Sequence, residues 1–255
     1  MISKVIDVGV CKLHVAEIGE GPPLICSHSL FCDGTMFQEF AIFLASKFRI
    51  IVVDSRAHGQ SEIPRGSFSI EDVAKDLLYV LDELGIEKSS FLGVSMGGMA
   101  SMRAALIAPE RVSSLILIDT EADTPPFKNW FERWLLTIGA PIFGVQAMAV
   151  EMMMRRMFCS SFRNRDVATI KKWRQKMAAL KVDALVKSVQ AVNRRPSLLG
   201  KLHEISVPTL LIYGSEDYYT PVSSGERIKS LIKGATLKVL SETGHLSVVE
   251  RPEEV

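Results

Sequence analysis

Short apolar segments alternate with longer amphipathic segments along the first half of the chain. The short segments are rich in β-branched residues and predict strands at residues 5–10, 12–18, 24–27, 48–54, 89–92 and 112–118. The longer segments predict helices from Asp33 or Thr35 to about residue 46, at 70–84 behind a capping box at Ser69, and at 99–108. Strands that alternate with helices are typical of βαβ units and of a mostly parallel sheet.

This alternation stops at Glu121 and resumes with a strand predicted for residues 207–213. In between, the pattern predicts only helices, at residues 130–138, 146–158, 166–180 and 183–192. A helix at 221–232, a strand at 236–240 and a helix from Leu246 follow, and we expect the last helix to continue beyond Val255. The predicted fold class is α/β. Residues 1–120 and 197–255 form a mostly parallel eight-stranded sheet flanked by helices. Residues 121–196 form a helical cap over the carboxyl ends of its strands, the edge at which ligands bind in open α/β sheets.

The composition is ordinary for a globular protein, but the charge is unevenly distributed. Hydrophobic residues make up 47% of the chain, and the net charge of +1 gives no indication of a nucleic-acid partner. The predicted cap holds fourteen basic and six acidic residues, which leaves a net charge of −7 on the rest. A solvated helix face accounts for this excess, and attraction of an anionic substrate or membrane surface is the alternative. The cap is also rich in methionines that either line an acyl pocket or pack the cap: Met148, Met152, Met153, Met154 and Met157.

The cysteines and the amino terminus bear on location. The four cysteines, at positions 11, 26, 32 and 159, show neither C-x-x-C pairs nor metal-site spacing, so we expect reduced thiols and a cytoplasmic protein. The first ten residues lack a basic start followed by a long apolar segment, so we expect no secretion signal. No stretch of about 18 apolar residues is present, and we expect no membrane span.

Residues 89–108 contain the main chemical motif. The sequence Gly93-Val94-Ser95-Met96-Gly97 lies between a predicted strand and a predicted helix, which is the setting of a G-x-S-x-G nucleophile elbow. Glycines at both ends let the strand and the helix approach closely, and the positive end of the helix faces an oxyanion formed at the serine. The pattern alone occurs by chance in roughly one chain in ten of this length, so the elbow depends on its context and its partners.

A serine hydroxyl needs a base, and the base needs an orienting group. The chain order serine, acid, histidine selects His245, which follows the last predicted strand, over the other histidines at 14, 28, 58 and 203. Asp217, after the predicted strand at 207–213, is the preferred acid. Asp119 and Glu216 are its rivals.

An oxyanion hole is the third requirement. We expect its two donors to be the backbone N–H groups of Met96, the residue after the serine, and Leu30, in the loop after the third strand. His28 and Ser29 are expected to support that loop, and His58 to brace the loop after the next strand. Donation of the Ser29 hydroxyl to substrate is an alternative.

Together these motifs resemble those of the α/β-hydrolase fold over nearly the whole chain. The residues that carry the resemblance are 28–30, 54–61, 93–98, 214–217 and 244–245. Within that superfamily the sequence is similar to the small carboxylesterases, the 3-oxoadipate enol-lactonases and the cofactor-free haloperoxidases. Ser29 and Ala57 stand where the family usually has glycine. A serine at the first of these positions is found in enol-lactonases, whose loop often reads Asn-Ser-Leu-Gly, but Phe31 stands at the final glycine.

The resemblance implies a serine hydrolase that cleaves a small-molecule ester or lactone through an acyl-enzyme. An anionic substrate and a substrate with an acyl chain are two open alternatives. Ser95, His245 and Asp217 would form its triad, and no metal or organic cofactor would be needed. Dehalogenases and epoxide hydrolases of this fold have an aspartate at the elbow, so Ser95 argues against both. Hydrolysis of a carbon–carbon bond in a diketone and ligand binding with little turnover remain alternatives. The oligomeric state is not indicated.

Overall fold

Eight strands form one sheet in a computed structural model that describes residues 2–124 and 146–255. The strands are β1 (Ile2–Asp7), β2 (Lys12–Ile18), β3 (Pro23–Ser27), β4 (Arg49–Val53), β5 (Ser89–Val94), β6 (Val112–Ile118), β7 (Thr209–Gly214) and β8 (Thr236–Leu240). Their order is β1-β2-β4-β3-β5-β6-β7-β8. The β1–β2 and β2–β4 pairs are antiparallel and the other pairs are parallel. The predicted α/β class, with a mostly parallel eight-stranded sheet, is confirmed.

The central strands are mostly apolar, as expected for strands that are covered on both faces of the sheet. Successive residues of a strand point to opposite faces. Accordingly, Ile25 and Ile51 belong to one apolar cluster, and Cys26 and Val52 belong to the other. Strand β4 is buried from its second residue to its last. The sheet thus separates two cores and holds its carboxyl edge rigid.

Nine helices accompany the sheet in the described residues. They are α1 (Gln38–Leu44), α2 (Ile70–Glu83), α3 (Met96–Ile107), α4 (Gln146–Met157), α5 (Ser160–Arg165), α6 (Val167–Ala178), α7 (Val182–Asn193), α8 (Val222–Leu231) and α9 (Ser247–Glu250). Short 3-10 turns lie at Gly34–Phe37, Pro109–Arg111 and Leu202–Glu204. None of the helices in this part of the chain is long and apolar enough to cross a bilayer.

The predicted helix starts depend on their caps. The capping box at Ser69 is present: its hydroxyl accepts the N–H of Asp72, whose carboxylate accepts the N–H of Ser69. Asp33 accepts the N–H of Thr35, but a 3-10 turn precedes α1.

The described residues between β6 and β7 form helices and loops, and no strand. Helices α4, α6 and α7 lie at the predicted positions, and the short α5, capped by Cys159, is an additional helix. The predicted helix at 130–138 lies outside the described residues. The assignment of residues 121–196 to a separate cap stays a prediction.

Besides the later start of α1 at Gln38, the start of α3 and the end of the last helix differ from the prediction. Helix α3 begins at Met96 rather than at Met99, directly after Ser95, because close packing outweighs the poor helix propensity of the glycines in its first turn. The last helix ends at Glu250 and does not continue to Val255. Arg251 precedes Pro252, and a residue before proline avoids the helical conformation.

Gly97 provides a test of this packing. A Cβ at this position would overlap the backbone carbonyl of Ser27. We expect Gly97→Ala to lower the free energy of unfolding by about 1–3 kcal/mol, measured by thermal or urea denaturation. Gly66→Ala is the control, since a Cβ there meets nothing within 4 Å and its φ is not positive. Equal stability of the two variants would contradict the packing argument.

Candidate active site

Ser95 lies at the apex of the turn between β5 and α3. Its φ of 52° and ψ of −110° fall in a region that L-residues avoid. Its N–H donates to the carbonyl of Ile118 at 2.9 Å, and its carbonyl accepts the hydroxyl of Thr120 at 2.7 Å. Both bonds come from the neighbouring β6 and its loop, so the sheet itself holds the strained residue.

Three glycines make the turn possible. A Cβ on Gly93 would overlap the backbone of Gly97, and a Cβ on Gly97 would overlap the carbonyl of Ser27. A Cβ on Gly98 would lie 2.6 Å from the hydroxyl oxygen of Thr120. The small surface expected between the helix and the sheet is therefore present on both sides of the serine.

The structure brings Ser95, His245 and Asp217 together in one hydrogen-bonded chain. Nε2 of His245 lies 2.9 Å from Oγ of Ser95. Nδ1 of His245 lies 2.8 Å and 3.0 Å from the two carboxylate oxygens of Asp217. The three residues are 7%, 3% and 7% exposed, respectively. Because a carboxylate only accepts, Nδ1 carries the proton and Nε2 accepts from the serine hydroxyl.

Residues just after Asp217 fix its carboxylate. Its Oδ1 accepts the N–H groups of Tyr219 and Thr220 at 2.8 Å and 3.0 Å, and its Oδ2 accepts the Thr220 hydroxyl at 2.5 Å. The ring of Tyr219 also packs edge-on against the imidazole of His245, with centroids 5.3 Å apart. The roles of Tyr219 and Thr220 were not predicted from the sequence. The available signal was Asp217 itself, because an aspartate in a loop often accepts the N–H groups that follow it in an Asx turn.

The two rival acids do not contact His245. Asp119 is fully buried, and its two oxygens accept the N–H groups of Gly214 at 2.9 Å and Ser247 at 3.0 Å. Burial and the neighbouring charge of Asp217 raise the pKa of Asp119 to about 8. Glu216 is exposed. Asp119 thus ties the strand end before Asp217 to the helix after His245.

The expected oxyanion loop follows β3. Nδ1 of His28 donates to the carbonyl of Ser29 at 2.8 Å, and Nε2 accepts the N–H of Ser55 at 2.9 Å, so the ring joins the loops after β3 and β4. The carbonyl of His28 also accepts the N–H of Gly97 at 3.1 Å. Across the described residues, no protein hydrogen bond uses the N–H of Leu30 or of Met96.

The remaining loop groups are buried. The hydroxyl of Ser29 points to the carbonyl of Leu30 at 3.4 Å. The ring of His58 lies 5.0 Å from that of His28, and its Nδ1 donates to the carbonyl of Arg56. Burial, with a contribution from His28, lowers the pKa of His58 to about 3.

The other two histidines lie away from this cluster. His14, in β2, contacts the carboxylate of Asp54 at 3.0 Å, and His203 is exposed in a 3-10 turn.

Helices from the segment after β6 contact the 3-10 turn that follows the β3 loop and the loop that carries His245. Lys176 of α6 donates to the carboxylate of Asp33 at 2.6 Å and to the hydroxyl of Thr35 at 2.8 Å, beyond the loop that follows β3. The carbonyl of Met157, at the end of α4, accepts the N–H of His245 at 2.9 Å. Of the five methionines of α4, Met153, Met154 and Met157 are buried, Met152 is half-buried and Met148 is 59% exposed.

The chain is similar to known proteins over nearly its whole length. Residues 22–252 match the sequence profile of the α/β-hydrolase fold. The chain belongs to this family. It is 29% identical to 3-oxoadipate enol-lactonase 2 of Acinetobacter baylyi over 94% of this chain and 89% of that protein.

Solved structures agree with this assignment. The enol-lactonase from Burkholderia xenovorans superposes with a TM-score of 0.91 at 26% identity, covering 98% of this chain and 96% of that one. A thermophilic esterase from Thermogutta terrifontis superposes with a TM-score of 0.91 at 27% identity, covering 100% of this chain and 95% of that one. This α/β-hydrolase therefore has lactonases and esterases among its relatives, as the resemblance of its motifs implied. Within the described residues, no three His, Cys, Asp or Glu side chains converge to hold a metal ion.

The carboxylate of Asp217 affects the protonation of His245. Burial lowers its pKa, but the charge of Asp217 and its hydrogen bond outweigh burial, so the pKa of His245 is raised above 6.5. A base must be neutral to accept a proton, so reactivity of Ser95 is lost as the pH falls through this raised pKa. We expect Asp217→Asn to slow modification of Ser95 by a fluorophosphonate by about 10³–10⁴-fold. Because the substitution removes the negative charge that raises the pKa of His245, the acid limb of the pH–rate profile should move to lower pH.

The measurement is the rate of fluorophosphonate labelling between pH 5 and pH 9, a range that spans the usual histidine pKa. Glu216→Gln is the matched control, because Glu216 is the exposed neighbour of Asp217. A pH limb that stays in place in Asp217→Asn would rule out Asp217 as the partner of the imidazole.

Proposed function

We propose that this protein is a serine hydrolase that cleaves carboxylic esters or lactones through an acyl-enzyme. The observation that carries the proposal is the continuous hydrogen-bonded chain from Asp217 through His245 to Ser95, at the apex of a strained strand–helix turn. The same chain of acid, imidazole and hydroxyl activates serine on several unrelated folds. The lactonases and esterases among its relatives agree with this chemistry.

Acylation begins at the serine. Oγ of Ser95 attacks the carbonyl carbon of the substrate while Nε2 of His245 takes its proton, and the carbonyl π electrons move onto the oxygen. The N–H groups of Leu30 and Met96 donate to the oxyanion, each having no protein acceptor among the described residues. The imidazolium then protonates the alkoxide as the carbon–oxygen bond breaks. In a lactone this hydroxyl stays attached to the acyl group.

Water completes the cycle. His245 removes a proton from water, the resulting hydroxide attacks the acyl carbon, and the oxyanion forms again at the same two N–H groups. Its collapse breaks the bond to Oγ of Ser95, which recovers the proton from His245, and the carboxylic acid is released. Asp217 holds the imidazole in the required tautomer and stabilises its charged form in both halves. No metal or organic cofactor takes part in these steps.

The surrounding elements have supporting roles in this proposal. We assign His28 to fixing the oxyanion loop, because its ring bridges Ser29 and Ser55 as a neutral donor and acceptor. Residues 121–196 act as a cap in this proposal, which is supported by the bond from Lys176 to Asp33, just after the oxyanion loop, and by the bond from the N–H of His245 to the carbonyl of Met157. The excess of basic residues in this segment favours a substrate that carries a negative charge. The four thiols are unbridged, in keeping with a cytoplasmic location.

The test is hydrolysis of p-nitrophenyl esters from acetate to laurate, beside neutral and carboxylate-bearing lactones. We expect turnover in the wild type and a loss of at least about 10⁴-fold in Ser95→Ala, because the nucleophile itself is removed. Ser101→Ala is the control: Ser101 is a buried serine of α3, and its hydroxyl donates to the carbonyl of Gly97 rather than to His245.

Equal rates in Ser95→Ala and the wild type would refute the serine mechanism. No ester or lactone turnover, with cleavage of a diketone that needs Ser95, would assign the same triad to carbon–carbon bond hydrolysis. Saturable binding of these compounds without turnover would favour a ligand-binding member of the fold.

A further inference from the structure

Glu250 is a buried acid that the reaction steps above do not use. It ends helix α9, five residues after His245, and only 4% of its surface is exposed. Its Oε1 accepts the N–H of Gly244 at 3.1 Å, and its Oε2 accepts the N–H of Cys159 at 3.3 Å. One carboxylate therefore joins the residue before His245 to the segment that follows helix α4.

Further contacts tie the same two segments together. The carbonyl of Met157 accepts the N–H of His245 at 2.9 Å, and the thiol of Cys159 donates to the carbonyl of Glu242 at 3.1 Å. A Cβ on Gly244 would lie 2.6 Å from the nitrogen of Cys159 and 2.8 Å from Oε1 of Glu250. Residues 157–159 thus pack against the backbone that carries His245 with no space for a side chain between them.

The charge of Glu250 also acts on the imidazole. Burial lowers the pKa of His245, and the negative charges of Asp217, Asp119 and Glu250 raise it. Burial raises the pKa of Glu250 itself, an effect that its bonds with Cys159 and Gly244 oppose. The buried ionisable groups around His245 and Glu250 are Asp217, Asp119 and Cys159. The surface cleft beside Glu250 adds Arg165, Arg251, Glu39, Glu253 and Glu254.

We propose that Glu250 is a positioning residue of this site: its carboxylate holds the peptide that carries His245 against residues 157–159 and so keeps the imidazole in line with Ser95. The inference rests on the proposed role of His245 as the base. A glutamine at this position keeps the shape but accepts only through its carbonyl oxygen, so one of the two N–H groups then faces an NH₂ group.

The experiment compares the wild type, Glu250→Gln and a matched control, Glu253→Gln, which removes an exposed charge three residues later. We expect Glu250→Gln to slow fluorophosphonate labelling of Ser95 and to lower kcat on the best ester by about 10- to 100-fold, because a small displacement of the base is costly. KM should stay unchanged, and the acid limb of the pH profile should move to lower pH. A purely structural role would lower the melting temperature without moving that limb.

Wild-type labelling rates and an unmoved acid limb in a folded Glu250→Gln variant would overturn the inference. If circular dichroism shows that this variant does not fold, Glu250→Asp carries the test, since it keeps the charge and shortens the reach. The aspartate variant should label slowly with its acid limb in place, and wild-type rates in it would equally overturn the inference. Rapid labelling of Ser95 without ester turnover would refute the proposed substrates. The labelling rates of the Glu250 variants would still test the inference. A wild type that does not label would refute the activated serine and this inference with it.

Discussion

The backbone of Ser95 is the constraint on which the rest of the site depends. Its conformation costs on the order of 1–3 kcal/mol, and it persists because the surroundings leave no alternative. Helix α3 approaches β3 so closely that Gly97 touches the carbonyl of Ser27, and Thr120 holds the carbonyl of Ser95 from the other side. The loops that follow β3 and β6 are therefore fixed by the same packing that presents the hydroxyl of Ser95 to His245 at the sheet edge.

Buried charge is the second constraint, because a carboxylate without partners would cost several kcal/mol in this interior. Asp217, Asp119 and Glu250 all surround His245, and each accepts at least two backbone N–H groups. Most of these N–H groups lie within six residues of Asp217 or His245, and that of Cys159 lies between helices α4 and α5. The N–H groups stabilise the buried acids, and the acids in turn fix the conformation of the segments that provide the N–H groups.

The parts of this arrangement that local sequence could predict are those with local causes. Strands β2, β6 and β8 were predicted with their observed bounds, since their apolar segments are bordered by polar or turn-forming residues. The start of α3 was predicted three residues late, because propensity alone does not register the contact between Gly97 and β3. The helix predicted to run past Val255 instead ends before Pro252.

Within the site, chain order and strand ends brought Ser95, Asp217 and His245 into consideration, and the structure places them within hydrogen-bonding distance. Glu250 was not foreseen, because its partner Cys159 lies 91 residues away and offers only a backbone N–H. Any residue except proline can provide a backbone N–H, so the sequence does not reveal which residue acts as the donor.

The same property separates two demands on the contact between residues 157–159 and the loop of His245. The contact uses the carbonyl of Met157 and the N–H of Cys159, which almost any residue can supply, and also the thiol of Cys159, which donates to the carbonyl of Glu242. On the His245 side of this contact the residue types are constrained, because Gly244 must lack a side chain and Glu250 must reach both N–H donors. Apart from the thiol of Cys159, the contact therefore depends on the backbone of residues 157–159 and on the identities of Gly244 and Glu250.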